Sequence, residues 1–359
     1  MKFDLAIIGG GIIGVTVASL TKARNPALNI AVLEQHLIGT GASLYGGAVR
    51  VPLGATAAHR DLARRSEELF LDLSAWAGPL PGRHIEIIWI VPVERQGELR
   101  SRLVSASRPM TASERRRLCE RIPALVLSAG DAVLVGETGW YGHPGQTAVH
   151  LVGHLRRQPG VAVYEGLHVV AIEDRADGCE IVTADEQVFS SKHVVRATGP
   201  WLDLQGARVP NSDLRTKKIS AFHVDLAPTD NDPAIVFVEE DAYLLPDSSN
   251  RRWIFCVSSQ TWDVEPSRSR LALDAEDWAL AEGTLRRHAP ALLDHCRGGR
   301  VFCDAYSATR LPAIARDPQS VWSVHALGCS GAGYRFAPAI AERTIGLFHE
   351  TLPGVAMPS

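Results

Sequence analysis

The residues best placed to do chemistry come first in the chain. Gly9-Gly10-Gly11-Ile12-Ile13-Gly14 follows directly on the apolar run Phe3 to Ile8 and opens a stretch, Val15 to Lys22, that reads as a helix. Glu34 stands twenty residues beyond Gly14, at the end of a second apolar run, Leu28 to Leu33. Strand, glycine turn, helix and acid in this order make a dinucleotide site. Gly9 permits the tight turn, Gly11 lets a pyrophosphate approach the backbone, and Gly14 lets the helix pack closely on the strand. The helix N-terminus at Ile12 and Ile13 offers N–H donors and a positive dipole end to phosphates. Glu34 can accept hydrogen bonds from a ribose 2′-hydroxyl.

Arginine is the second source of chemistry. Arg335 follows the glycine turn Gly328-Cys329-Ser330-Gly331-Ala332-Gly333-Tyr334. Its planar fork can cap a carbonyl or pair with an acid such as Glu342. Lysine occurs only at 2, 22, 192, 217 and 218, so a single Arg is a weaker signal here than in most chains. His143, in Gly142-His143-Pro144-Gly145, reads as a turn residue, and no Ser-His-Asp arrangement stands out.

These residues need elements to hold them. Spacing predicts a long helix over 56–78, a strand over 84–93 and a charged helix over 110–121. A helix ends near Gln158, and short strands follow at 161–164 and 169–172, with a meander up to Ala197. Residues 193–201 read as a strand ending in the turn Ala197-Thr198-Gly199-Pro200-Trp201, as at the carboxyl edge of a doubly wound sheet. Residues 217–262 are β-rich, 274–298 helical, 321–326 a strand, and a closing helix starts at Pro338. The order predicts an α/β, Rossmann-like dinucleotide-binding domain from 1–54, 145–215 and 304–359. An α+β, mixed-sheet substrate domain comes from 55–144 and 216–303.

Composition bounds the partners. The formal charge of −3 points away from nucleic acid and from acidic membrane surfaces. Six scattered cysteines without a CxxC pair argue against zinc and against a disulfide framework. With no leader-like segment and no bilayer-length apolar run, the expectation is a soluble, cytoplasmic protein. Metal is not expected.

Taken together, the strings at 9–14 with Glu34, at 39–50, at 197–201 and at 328–338 resemble the D-amino-acid oxidase family of flavoproteins, in particular its glycine oxidase and sarcosine oxidase branch. The resemblance implies noncovalent FAD. Gly9, Gly11, Ile12, Ile13, Gly14, Glu34 and Gln35 would hold its adenosine and pyrophosphate, and Val169 would flank the adenine. Gly41, Ala42, Ser43 and Gly47 would close over the pyrophosphate and ribityl chain, with Thr198, Gly199 and Trp201 beside them. Gly331, Gly333 and Tyr334 would present backbone N–H groups to the flavin pyrimidine edge, where negative charge develops.

The resemblance also implies substrate residues. Arg335 would hold a substrate carboxylate, Arg50 would lie against the flavin ring, and Tyr243, in Tyr243-Leu244-Leu245-Pro246, would face the substrate. Arg310 stands near the place of a glycine-oxidase arginine, where Asp304 competes with it. Cys303 is one residue out of register with the cysteine that tethers FAD in sarcosine oxidases. The lysine that speeds their reaction with oxygen has no counterpart near Trp253 to Phe255. The implied activity is oxidation of the C–N bond of an amino acid or an N-substituted amino acid. Hydride passes from Cα to flavin N5, the imine hydrolyses, and O2 is reduced to H2O2. Secondary amines such as N-alkyl glycines or an N-carboxymethyl amino acid are favoured. The alternative is a dehydrogenase that passes electrons to another acceptor.

Overall fold

The apolar runs at the start of the chain become central strands of a parallel sheet. Lys2–Ile8 pairs in parallel with Val188–Arg196 on one side and with Ile30–Glu34 on the other. Val161–Glu165 lies beyond Ile30–Glu34, Ser323–Leu327 lies beyond Val188–Arg196, and antiparallel Ala313–Arg316 closes that edge. Such strands are covered on both faces, which is why Leu5, Ala6, Ile7 and Ile30 to Leu33 are all buried without alternation. The computed structural model describes residues 2–51, 53–122, 124–202, 213–267, 271–348 and 352.

One face of this sheet is covered by the helices Ile12–Arg24, Ala57–Ala77, Pro144–Leu155 and Gly333–Gly346, which share a core around Ile7, Val15, Leu69, Leu151, Phe336 and Ile340. A second sheet carries the strands Cys296–Tyr306, Arg215–Val224, Arg252–Val257, Ala242–Asp247, Ala234–Phe237, Arg83–Pro92, Asp131–Tyr141 and Val49–Arg50, in that spatial order. Only the pairing of Ala234–Phe237 with Arg83–Pro92 is parallel. The helix Ala275–His288 packs on one face of it, over Phe222, Phe237 and Phe255. The other face, with Trp89, Tyr243 and Cys256, turns toward the first sheet's strand ends. The result is the mixed α/β fold that the sequence predicts. The helix Ala57–Ala77 packs with the helices of the first sheet, although Val49–Arg50 and Arg83–Pro92 on either side of it belong to the second.

Some elements differ from expectation. The strand Asp131–Tyr141 has no counterpart in the sequence reading, because Gly136 and Gly139 interrupt its pattern. Gly139 is needed there: a Cβ would lie 2.6 Å from the Arg50 carbonyl oxygen. The helix expected over 274–298 stops at His288, because Pro290 supplies no N–H, and Cys296 already begins a strand. The closing helix begins at Gly333 rather than at Pro338, which lies inside it. The next N–H, that of Ala339, donates to Ser66 Oγ on the long helix at 3.3 Å. Among the described residues no helix is long and apolar enough to cross a membrane.

Candidate active site

A cavity of about 490 Å3 opens where the carboxyl ends of the parallel strands (Ile8, Leu33, Ala197, Leu327) meet the inner face of the second sheet. That is the place for a ligand in an open α/β sheet, and the size suits a cofactor site.

At one end stands the glycine turn. Gly9 has φ +109°, and a Cβ on it would lie 2.4 Å from the Ala197 carbonyl oxygen. Gly14 does not line the cavity; a Cβ there would lie 2.0 Å from Gly9 O, so its work is helix–strand packing. Gly11, Ile12 and Ile13 line the wall, with Gly41, Ala42, Ser43 and Gly47 facing them. The Ile12 N–H donates to Ser43 Oγ at 2.9 Å, so Ser43 ties its loop to the helix and takes the donor that spacing assigned to phosphate. The N–H groups of Ile13 and Gly14 still lack intrahelical acceptors. Glu34 accepts from Gly10 N at 2.7 Å and from His36 N at 2.8 Å. Each of its oxygens keeps a second lone pair. Gln35, Val169, Thr198, Gly199 and Trp201 complete this end, and Thr198 Oγ1 donates to the Trp201 carbonyl at 2.7 Å.

The same cavity is lined by Tyr243, Cys256, Asp304, Tyr306, Gly331, Gly333, Tyr334 and Arg335. The turn before the closing helix corrects one expectation. The Ser330 N–H donates to Ala305 O, Ala332 N–H to Cys329 O, and Gly331 N–H to Asp304 Oδ2 at 3.0 Å. These donors are used within the protein. The free donors pass instead to the first helical turn, Gly333, Tyr334 and Arg335.

Arg335 has no carboxylate within ion-pair distance among the described residues, and its Nε is sealed from solvent without a hydrogen-bond partner. Burial lowers its pKa to about 10, so it stays charged at neutral pH, while the nearby Tyr243 opposes that shift. Pairing with Glu342 does not occur, because Glu342 accepts from Arg24 and from Arg65 (2.7 Å). Tyr243 is walled in, and burial drives its phenol well above the usual range. Its hydroxyl leaves no room for a side chain on Gly47, whose Cβ would lie 2.2 Å away.

Arg50 is placed differently from the expectation. It is not among the cavity-lining residues. Its guanidinium lies 3.6 Å from the Phe70 ring centroid, near Trp140 and Tyr334, and its Nη2 is 3.5 Å from Glu67. Phe70 comes from the long helix and draws the cation behind Tyr334. Arg310 is exposed, at φ +62°, on the cavity rim. Cys303 does not line the cavity; Cys329 does, with its thiol pushed up by burial. His143 precedes the helix Pro144–Leu155 and lies off the cavity, as a turn residue would.

Sequence reasoning missed Lys217 and Tyr306, both on the cavity wall. Lys217 comes from the strand beside the one searched for a lysine: its Nζ donates to Ser258 Oγ at 2.9 Å. The signal was present as adjacent lysines within a strand of a lysine-poor chain, because strand alternation sends one of the two to each face.

The donors, the glycine cradle and Glu34 fit an extended dinucleotide, and Arg335, with no acidic partner among the described residues, fits an anion in the same cavity. A two-sheet molecule with these parts is a dinucleotide-binding protein. The pattern of the FAD dependent oxidoreductase family, DAO, matches residues 4–347, and the chain belongs to that family. It is 26% identical over 276 residues to the glycine oxidase of Geobacillus kaustophilus (strain HTA426), covering 72% of this chain and 71% of that one. In structure it is similar to glycine oxidase from Geobacillus kaustophilus (TM-score 0.78, 18% identity, 99% and 98% of the two chains). It is similar too to L-proline dehydrogenase from P. horikoshii (TM-score 0.78, 20% identity, 98% and 96%). The protein is thus an FAD-dependent enzyme related to amino-acid oxidases.

Proposed function

We propose that this chain oxidises the C–N bond of an amino acid or N-substituted amino acid and uses O2 as the final acceptor. One observation carries the reading: Arg335, charged and without an acidic partner among the described residues, shares a cavity with the dinucleotide cradle. FAD, when bound, supplies the acceptor for the hydride next to nitrogen and returns its electrons to O2 as H2O2.

The protein's own residues do the rest. Arg335 holds the substrate carboxylate through its fork and so fixes the carbon that reacts. Tyr243 stands against the same wall and donates to that carboxylate. Arg335 also lowers the pKa of the bound ammonium by like-charge repulsion, so its proton leaves to solvent and the amine reacts in the neutral form. Trp89, Tyr243 and Cys256 on the second sheet keep water from that end. The N–H groups of Gly333 and Tyr334 stabilise charge on the flavin. In the same proposal, segments 1–54, 145–215 and 304–359 hold the cofactor, and 55–144 and 216–303 wall the substrate.

Oxygen uptake and peroxide release test the reading, with glycine, sarcosine, longer N-alkyl glycines, N-carboxymethyl amino acids and D-amino acids as substrates. Uptake matched by peroxide is expected for at least one of these groups. Reduction of an artificial dye without oxygen uptake would replace O2 with another acceptor. No reaction of either kind with any of them would overturn the proposal.

A further inference from the structure

The proposed reaction occupies Arg335 and leaves another cation without a task. Lys217 is 4% exposed and lines the cavity. Among the described residues its side chain meets one polar partner, the neutral hydroxyl of Ser258 at 2.9 Å, and no carboxylate stands within ion-pair distance. Its Nζ lies 5.1 Å from the Trp262 ring centroid and 5.5 Å from that of Tyr306. The Arg310 guanidinium also lies 5.5 Å from the Tyr306 centroid. Two cations therefore lie within 5.5 Å of one ring on the cavity wall.

The adjacent residue is the control. Lys218, on the opposite face of the same strand, is equally buried, and the fold gives it two acids, Asp274 and Asp277 (2.8 Å). Where a buried lysine is structural in this strand, it is paired. The acids near Lys217 are not paired with it. Asp304, its cross-strand neighbour, is engaged by the N–H groups of Ala305 and Gly331. Asp241 is exposed on the rim and acts on Lys217 only at longer range. A buried ammonium with one neutral partner is unfavourable until an anion completes it.

We propose that Lys217, assisted by Arg310, binds a second carboxylate of the substrate, so that the preferred substrate is a dicarboxylic amine. That class includes an acidic amino acid and an amino acid whose nitrogen carries a carboxyalkyl group. The inference rests on the reading of Arg335 as the first carboxylate anchor.

Ligand binding to the FAD-loaded protein, read as perturbation of the flavin absorbance without turnover, tests it. The probes are acetate against malonate, succinate and glutarate. At least one dicarboxylate is expected to bind about tenfold or more tighter than acetate, as a charge-assisted contact should give. Lys217→Met should lower that dicarboxylate's affinity by about this factor more than it lowers acetate affinity, and Lys217→Arg should restore most of the margin. If the wild-type protein binds acetate and every dicarboxylate equally, the second anchor is wrong while the proposed function stands. If no carboxylate perturbs the flavin, the Arg335 reading fails as well.

Discussion

The backbone N–H of Gly331 donates to Asp304 Oδ2 across 3.0 Å, and so ties the turn before the closing helix to the strand Cys296–Tyr306 of the second sheet. The other oxygen of Asp304 accepts from Ala305 N at 2.8 Å. One carboxylate thus fixes the point where the helix N-terminus enters the cavity.

Asp304→Ala should leave two N–H groups without acceptors and destabilise the protein by about 1–3 kcal/mol. Asp304→Asn keeps one acceptor and should lie closer to wild type. Burial holds this carboxyl above its ordinary range. A raised carboxyl contributes stability below the unfolded pKa and loses it as pH rises through the folded one. Wild type should therefore gain on the Asn variant toward pH 4 in thermal melts; a constant difference across pH would contradict this.

Arg335→Ala should raise the KM for an amino-acid substrate by about 10- to 100-fold, as loss of charged hydrogen bonds does. FAD content should be unchanged. Arg335→Lys should recover only part of the loss, because a point charge does not replace a planar fork. Steady-state kinetics beside the flavin-to-protein absorbance ratio reads both.

Glu342 binds Arg24 and Arg65 and is 5% exposed, while both arginines are partly in solvent. Hydrogen bonds from Arg65, before any other cause, hold its pKa down. A depressed carboxylate contributes stability above the unfolded pKa, near 4.3, and loses it as pH falls through the folded one. Glu342→Gln should cost about 1–3 kcal/mol at pH 7, with the solvent-facing arginines keeping it below the value for a fully buried pair. The gap should close below about pH 4; chemical denaturation at both pH values checks it.

Gly47→Ala places a methyl 2.2 Å from the Tyr243 hydroxyl and 2.8 Å from its ring. Overpacking of this kind destabilises by about 1–3 kcal/mol. Because both residues line the cavity, the variant should also lose FAD more readily, seen as flavin fluorescence released at lower temperature.

Sequence alone reveals what is local. Strand, turn, helix and Glu34 follow one another within the first residues, so their geometry is carried by spacing. The strands 2–8, 30–34 and 161–165 announce themselves by short, mostly apolar runs. What stays hidden depends on distant partners. Asp131–Tyr141 is masked by two glycines, Gly139, which lets the Arg50 backbone approach, and Gly136, which takes a φ of +107°. The place of Arg50 is set by Phe70 on a helix that nothing local ties to it. The Gly331 N–H looks free until the strand carrying Asp304 arrives from 27 residues earlier. Lys217 gains its cavity position only when its strand is set beside Ser258.

Anaerobic addition of substrate to the FAD-loaded protein, followed by the flavin absorbance band, tests the central claim most directly. Wild type should bleach with at least one amino acid or N-substituted glycine, and Arg335→Ala should stay yellow at the same concentrations. A protein that takes up no FAD, or one that stays yellow with every such amine, would contradict it.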